Sequence, residues 1–309
     1  MEEYKALMLD CLERYHITPC GSEECRLGLY CVNHQPKCEL GVCNSCLSHI
    51  QWHPSPTFSY SCKRITYHYV LRFFNRFASE IYYAMSKYKQ EMLDSTNALN
   101  IVSLGCGPGS EVYGIIRNVR SRAAHVQVNY QGYDKNEIWE EVQNLSKEKL
   151  SQSGHNVDFY NRNLFQEYVG FQDNHIDILV LNYLLSDCQK FYTTDTDREK
   201  FVSELAHFII YKNVRNILFN DINFYGKRGK KLDSGIKMLK LLIGYLEKWE
   251  QTVWRKPFYF QTDNFVPTPK WFKQPDDRLV FENIAGNKLD NGLSVCKSKQ
   301  VLCYIEPQQ

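Results

Sequence analysis

The apolar positions of KRITYHYVLRFFNRFASEIYYAMSKYKQ, residues 63–90, recur at intervals of three and four: Val70, Phe73, Phe74, Phe77, Ile81, Met85 and Tyr88. That period predicts one long amphipathic helix. From residue 101 the pattern changes to short, dense apolar runs separated by segments of helical period. IVSL is the first run; GCGPG follows it, then SEVYGIIRNVR, where Val112, Ile115, Ile116 and Val119 share a helical face. The alternation continues with a strand VQVNYQGYD, a helix over 137–150, a strand NVDFYNRNLF and a strand HIDILVLNYLL whose tip lies near Asn182. A helix over 198–211, a strand VRNILFNDI and a helix over 231–249 come next. RLVFENI and SVCKSKQVLCYIE read as two closing strands, the last running antiparallel, and the Pro-rich stretch QTDNFVPTPKWFKQPDD before them reads as an insertion or lid. Strands alternating with helices imply a mostly parallel α/β sheet covered on both faces, with ligands received at the carboxyl ends of its strands.

Composition adds limits. A chain of 309 residues, 43% of them hydrophobic, buries one large core and leaves room for a small appended module. The formal charge of +2 gives no global field that would recruit nucleic acid. Charge is local instead: residues 63–90 carry a net +5, with Arg72 and Arg76 one turn apart, whereas residues 1–62 carry a net −3. A phosphate-tracking surface would therefore be the helix, joined by the loop GKRGKK at 226–231, whose four basic residues could meet a phosphate-bearing substrate. The N-terminus has no basic region followed by an apolar one, and runs such as LLIGYL are too short to span a bilayer. A cytosolic or nuclear location is the expectation.

Cysteine usage sets the first boundary. Eight of the twelve cysteines fall in the first 62 residues. In a chain without a secretion signal such density points to metal thiolates. Cys20, Cys25, Cys31 and His34 offer one set of donors, resembling a CCCH zinc finger with a short last gap. Cys38, Cys43 and Cys46 offer a second, with His49, His53 or Cys62 as the fourth, and zinc takes four such donors in a tetrahedron. The division expected is a Cys/His-rich zinc-binding module over 1–62, a basic linking helix over 63–96 and an α/β domain over 97–309.

Glycines at 105, 107 and 109 allow a tight turn and close approach of a ligand to the backbone, while the helix that follows presents free N–H groups. Asp134, at the tip of the second strand 25 residues beyond Gly109, stands where one carboxylate grips the two hydroxyls of a ribose. A nicotinamide-type site would space its glycines G-x-G-x-x-G, and here the third comes one residue early. Over roughly residues 97–306 these motifs resemble the class I S-adenosylmethionine-dependent methyltransferases, which implies a Rossmann-like, mostly parallel seven-stranded sheet. LGCGPG looks like their first motif, GYDKN like the acidic second, YNRNLF like the third and IDILVLNYLLSD like the fourth. The resemblance implies a cofactor set of Ser103, Gly105, Cys106, Gly107, Gly109, Asp134, Asn163 and Asn182, with Asn163 facing the adenine amino group. Ser103 departs from the pattern: family members commonly carry Asp or Glu there. A hydroxyl brings no charge, so either affinity is lower or the cofactor's ammonium is met elsewhere.

Methyl transfer from a sulfonium is an in-line displacement in which alignment supplies most of the acceleration. Asn182, Tyr183, Asp187 and Asp221, all near strand tips, are the candidates for aligning a nucleophile or removing its proton. The tip lacks the [DNS]-P-P-[YF] sequence of amino-methylating enzymes and the Pro-Cys of C5-cytosine enzymes, so those acceptors are disfavoured. With the finger-like module and the basic helix, the layout resembles RNA-modifying methyltransferases acting on tRNA or rRNA. LNYLLSD is also similar to the mitochondrial ribosome-assembly methyltransferase-like family, which implies a second reading, an inactive zinc-stabilised RNA-binding scaffold. A protein or small-molecule acceptor under an aromatic lid at Trp271 and Phe272 is the third.

Overall fold

The computed structural model describes residues 2–18, 43, 44, 47, 60, 62–162, 175–222, 234–260, 270–284 and 294–307. In chain order the elements are α1 (Glu2–Ile17), α2 (Lys63–Met85), α3 (Gln90–Asp94), β1 (Ala98–Leu104), α4 (Ser110–Arg122) and β2 (Gln127–Asp134). A single 3-10 turn, Glu137–Trp139, runs into α5 (Glu140–Ser151), followed by β3 (Asn156–Asn161) and β4 (Ile176–Asn182). Then come α6 (Leu184–Phe191), α7 (Asp195–Tyr211), β5 (Val214–Ile222), α8 (Ser234–Lys248), β6 (Gln251–Tyr259), β7 (Phe272–Lys273) and β8 (Ser298–Pro307).

The eight strands form one sheet in the order β3-β2-β1-β4-β5-β8-β6-β7. Strands β1 to β5 are mutually parallel, and β8 lies antiparallel between β5 and β6. The order reverses between β1 and β4, and in such a doubly wound, Rossmann-like sheet that reversal opens a crevice at the carboxyl ends of the two strands. Side chains alternate across the sheet. Ile101, Val128, Tyr130 and Val180 face one core with α1, α2, α4 and α5. Val102, Leu104, Leu179 and Phe219 face a second core with α6, α7 and α8.

Helix α2 crosses α4 closely enough that a Cβ on Gly114 would stand 2.3 Å from the Ala78 carbonyl oxygen. Only hydrogen fits at that crossing, and it lays α2 over the sheet. Its sequence pattern predicts a solvated basic face, but the structure buries the helix more fully, including His68, Asn75, Ser79 and Glu80. Arg72 donates to Asn44, and the Arg76 guanidinium sits 5.0 Å from the Phe77 ring centre and 3.6 Å from Glu80.

Helix α1, counted with the cysteine-rich module in the sequence, packs into the first core through Tyr4, Leu7 and Met8. Ion pairs Arg14–Glu141, Arg120–Glu3 and Lys149–Asp10 tie it to α4 and α5. Two further expectations are corrected. RLVFENI forms no strand: the Val280 and Phe281 amides donate to Ser79 Oγ at 2.9 and 3.1 Å, and the Phe281 ring packs on Tyr4, docking the segment on helices instead. The sheet position belongs to β6, and Phe272 of the expected lid lies in edge strand β7, paired with β6. The apolar run at Asn182–Leu185 breaks at Tyr183, whose φ of 57° turns the chain out of β4 and into α6. No helix among the described residues is long and apolar enough to cross a membrane.

Candidate functional site

Four strands carry a polar side chain on the α2/α4 face at one end of the sheet: Ser103 on β1, Asn182 on β4, Asn220 on β5 and, near the start of antiparallel β8, Gln300. Ser103, Asn220 and Gln300 are essentially inaccessible to solvent. Buried polar groups persist only when they are hydrogen-bonded, and here the three amides bond to one another. Asn220 Nδ2 donates to Asn182 Oδ1 at 2.8 Å, and Gln300 Nε2 to Asn220 Oδ1 at 3.0 Å. Gln274 extends the row from beyond β7, its amide donating to Gln300 Oε1 at 2.7 Å.

Two carboxylates from the covering helices close this row. Glu80 of α2 accepts from the Tyr183 hydroxyl at 2.9 Å, Asn220 Nδ2 at 3.2 Å and the Lys297 amide at 2.9 Å. Glu111, in the first turn of α4, accepts from Ser103 Oγ at 2.5 Å and the Tyr130 hydroxyl at 2.8 Å, with the Asn182 side chain also in hydrogen-bonding reach. Ser103 is therefore tied to a carboxylate eight residues further on, one that the sequence reading missed. A clue was present: Glu111 lies one turn before Ile115, on the apolar face of α4.

The loop between β1 and α4 is left-handed at all three glycines, with φ of 61°, 52° and 76° at Gly105, Gly107 and Gly109. At Gly109 a Cβ would also stand 2.5 Å from the Phe159 ring, so glycine is required there twice over. At Gly107 the nearest atoms to a Cβ would be those of the Trp139 ring at 3.9 Å, an ordinary contact, so here it is the left-handed backbone and not crowding that favours glycine. The Gly107 amide donates to Asp134 Oδ2 at 2.9 Å and the Asn136 amide to Oδ1 at 2.8 Å. Each carboxylate oxygen keeps a second lone pair for another donor. Burial pushes the Asp134 carboxyl above its ordinary value, and these two backbone bonds pull it back.

The remaining sequence candidates are placed as follows. Cys106 is buried between the first two glycines, its amide bonded to the Tyr133 carbonyl at 3.1 Å. Asn163 lies outside the described residues. At the β3 tip, Asn161 is paired in register with Asp134, and its buried Oδ1 finds no partner among the described residues. It is an acceptor available to an amino group, one the sequence reading did not single out. The Tyr183 hydroxyl is committed to Glu80, and burial drives it well above its ordinary pKa, so it serves to position rather than to take a proton. Asp221 points to the other face of β5 and accepts from the Ser186 amide at 3.0 Å at the start of α6, with burial raising its pKa to about 6. Asp187 is exposed on the first turn of α6. Of the four catalytic candidates, only Asn182 meets the glycine-loop cluster directly.

Of the proposed zinc ligands, Cys20, Cys25, Cys31, His34, Cys38, Cys46 and His49 lie outside the described residues. Cys43 is buried, beside the Tyr15 hydroxyl. Among the described residues no group of His, Cys, Asp and Glu side chains is arranged to hold a metal. The loop 226–231 is likewise outside them. A cavity of about 510 Å³ beside Asn100, Asn129, Asn156 and Lys147 lies toward the starts of β1 to β3, at the opposite end from the glycine loop.

No family model matches this chain, and no curated protein does. Solved structures do show likeness. The chain is similar to the plantazolicin methyltransferase BpumL in complex with SAH, at 12% identity and a TM-score of 0.44, over 87% of this chain and 96% of that one. It is similar to magnesium protoporphyrin IX methyltransferase (ChlM) from Synechocystis PCC 6803 with bound SAM, at 12% identity and a TM-score of 0.39, over 84% and 90%. A third likeness, to the bifunctional kinase-methyltransferase WbdD, has 12% identity and a TM-score of 0.37, over 86% of this chain and 49% of that one. Identities and scores at this level leave the functional reading to the site itself.

Proposed function

We propose that this protein is an S-adenosylmethionine-dependent methyltransferase. The observation that carries the reading is the clasp between Gly107 and Asp134: a left-handed glycine whose amide is held by the carboxylate that would also accept a ribose diol. The residues present suit this cofactor along its length. Asn161 Oδ1, without a partner among the described residues, suits an amino group on the base, Asp134 suits the ribose, and the N-terminus of α4 would be left for the remaining end of the ligand.

When bound, the cofactor supplies an electrophilic methyl group. The chain's part is to hold the reactants in line. Asn182 is fixed by Asn220 on one side and lies within reach of Glu111 on the other, so its amide has a single orientation at the strand tip. Tyr183 and Glu80 brace the same tip from α2. Positioning of this kind lowers a displacement barrier without a strong base.

For the acceptor, RNA rests on the loop 226–231 and on the basic residues of α2. Because Arg72 and Arg76 are turned inward onto Asn44, Phe77 and Glu80, the helix presents less of a phosphate-tracking face, and a small molecule or a protein side chain is favoured as the acceptor. Labelled S-adenosylmethionine incubated with total RNA, with protein and with an RNA-free low-mass extract discriminates among them. Label in one fraction, matched by S-adenosylhomocysteine, supports the enzyme and names its acceptor class. Tight RNA binding with no turnover of bound cofactor in any fraction supports the scaffold.

A further inference from the structure

The two buried carboxylates of the polar row differ in one respect. Glu80 has a cation, the Arg76 guanidinium 3.6 Å away. Glu111 has none. It is 0% exposed, and its donors among the described residues are the hydroxyls of Ser103, Tyr130 and, at 3.5 Å, Ser110, with the Asn182 side-chain amide also in reach, all of them neutral. The ionisable groups that act on it or feel it among the described residues are Tyr130, Cys106 and Tyr69, with Asp134 bearing on the same Cys106, and none of these carries a positive charge. The N-terminus of α4 offers about half a positive charge, which neutral donors supplement but do not complete. A carboxylate so deeply desolvated is costly to keep ionised without a partner. Burial accordingly pushes the Glu111 carboxyl above its ordinary value, against the pull of its hydrogen bonds.

We propose that Glu111 is the counter-charge for the ammonium at the methionine end of the cofactor, performing from α4 the task that Ser103 cannot perform from β1. The inference rests on the methyltransferase reading and adds to it a residue and a role. Ser103 Oγ and Glu111 Oε1 are 2.5 Å apart, so an aspartate at 103 would bring its carboxylate to nearly the place that Glu111 now fills. A strand serine with a helix glutamate is thus an exchange of positions for one charge. Tyr130, one strand over, steadies the relocated group.

The test is titration calorimetry with two probes, S-adenosylhomocysteine and 5′-methylthioadenosine, the second lacking the amino-acid end. The proteins are wild type, Glu111→Gln and the double variant Ser103→Asp/Glu111→Gln. We expect Glu111→Gln to weaken S-adenosylhomocysteine by roughly 10- to 100-fold, the scale of one hydrogen bond to a charged group. 5′-Methylthioadenosine should change by less than about threefold, because the base and ribose contacts are untouched. The double variant should recover most of the lost affinity, which a loop merely distorted by Glu111→Gln would not do. Equal weakening of both probes, unchanged binding of S-adenosylhomocysteine, or tighter binding of it would each overturn the assignment. Wild-type protein that binds neither probe would overturn the methyltransferase reading as well, so the two failures are distinguishable.

Discussion

Replacing Asp134 with alanine removes one carboxylate that holds two things. Its oxygens accept the amides of Gly107 and Asn136 at 2.9 and 2.8 Å, which keep the loop against the β2 tip. Their second lone pairs are the ones a ribose diol would take. Hydrogen bonds to a charged group contribute about 1.5 to 3 kcal/mol each. Losing the ribose pair alone costs on the order of 3 kcal/mol, which is about a hundredfold in affinity at 1.4 kcal/mol per decade. Loosening Gly107 adds to that loss. Titration calorimetry with S-adenosylhomocysteine on wild type and Asp134→Ala reads the effect, and a thermal melt shows whether the variant is folded. Binding by a folded Asp134→Ala protein within about threefold of wild type would refute the ribose assignment.

Further outcomes follow from the same geometry. Gly114→Ala places a methyl 2.3 Å from the Ala78 carbonyl oxygen, and overpacking of that kind costs about 1 to 3 kcal/mol, read in denaturant melts; an unchanged midpoint would contradict the crossing. Burial raises Asp221 from 3.8 to about 6, so its contribution to stability is complete below pH 3.8 and is lost as pH rises through 6. That difference amounts to about 3 kcal/mol at about 1.4 kcal/mol per tenfold change in proton affinity. Stability of wild type relative to Asp221→Asn should therefore fall between pH 4 and 7, and a pH-independent difference would contradict the burial. The cysteine spacing over residues 20–49 predicts protein-bound zinc by elemental analysis, released by chelation with loss of that segment's structure. Metal-free protein from zinc-supplemented medium would contradict it.

The parallel half of the sheet is legible in the chain because β1, β4 and β5 are buried on both faces and read as dense apolar runs. Strand β6 is not legible for the opposite reason. It lies near the sheet edge with Trp254, Arg255 and Lys256 exposed and Pro257 within it, so its letters read as a loop. RLVFENI carries a convincing strand alternation, but its apolar residues answer to helix α2 and Tyr4, contacts that no local pattern announces. The turn at Tyr183 is hidden because a non-glycine residue adopts a left-handed conformation there, braced by Glu80 from a helix 103 residues earlier.

At the site, the glycines and Asp134 are readable from spacing alone. Glu111 is not, because a motif assigns the acidic group to a strand position, and only the fold reveals that a helix residue can deliver a carboxylate to the same spot. Asn220 and Gln300 escape for a related reason. A single amide at the end of an apolar run looks like the start of a loop until neighbouring strands align such residues into a row.

The most direct measurement is calorimetric titration of S-adenosylmethionine and S-adenosylhomocysteine into the purified protein, with Gly107→Arg as the blocked control, since a bulky side chain forced onto that left-handed backbone would strain the loop beside the Trp139 ring. The account predicts binding of both by wild type and neither by the control. Wild-type protein that is folded and binds neither would contradict it.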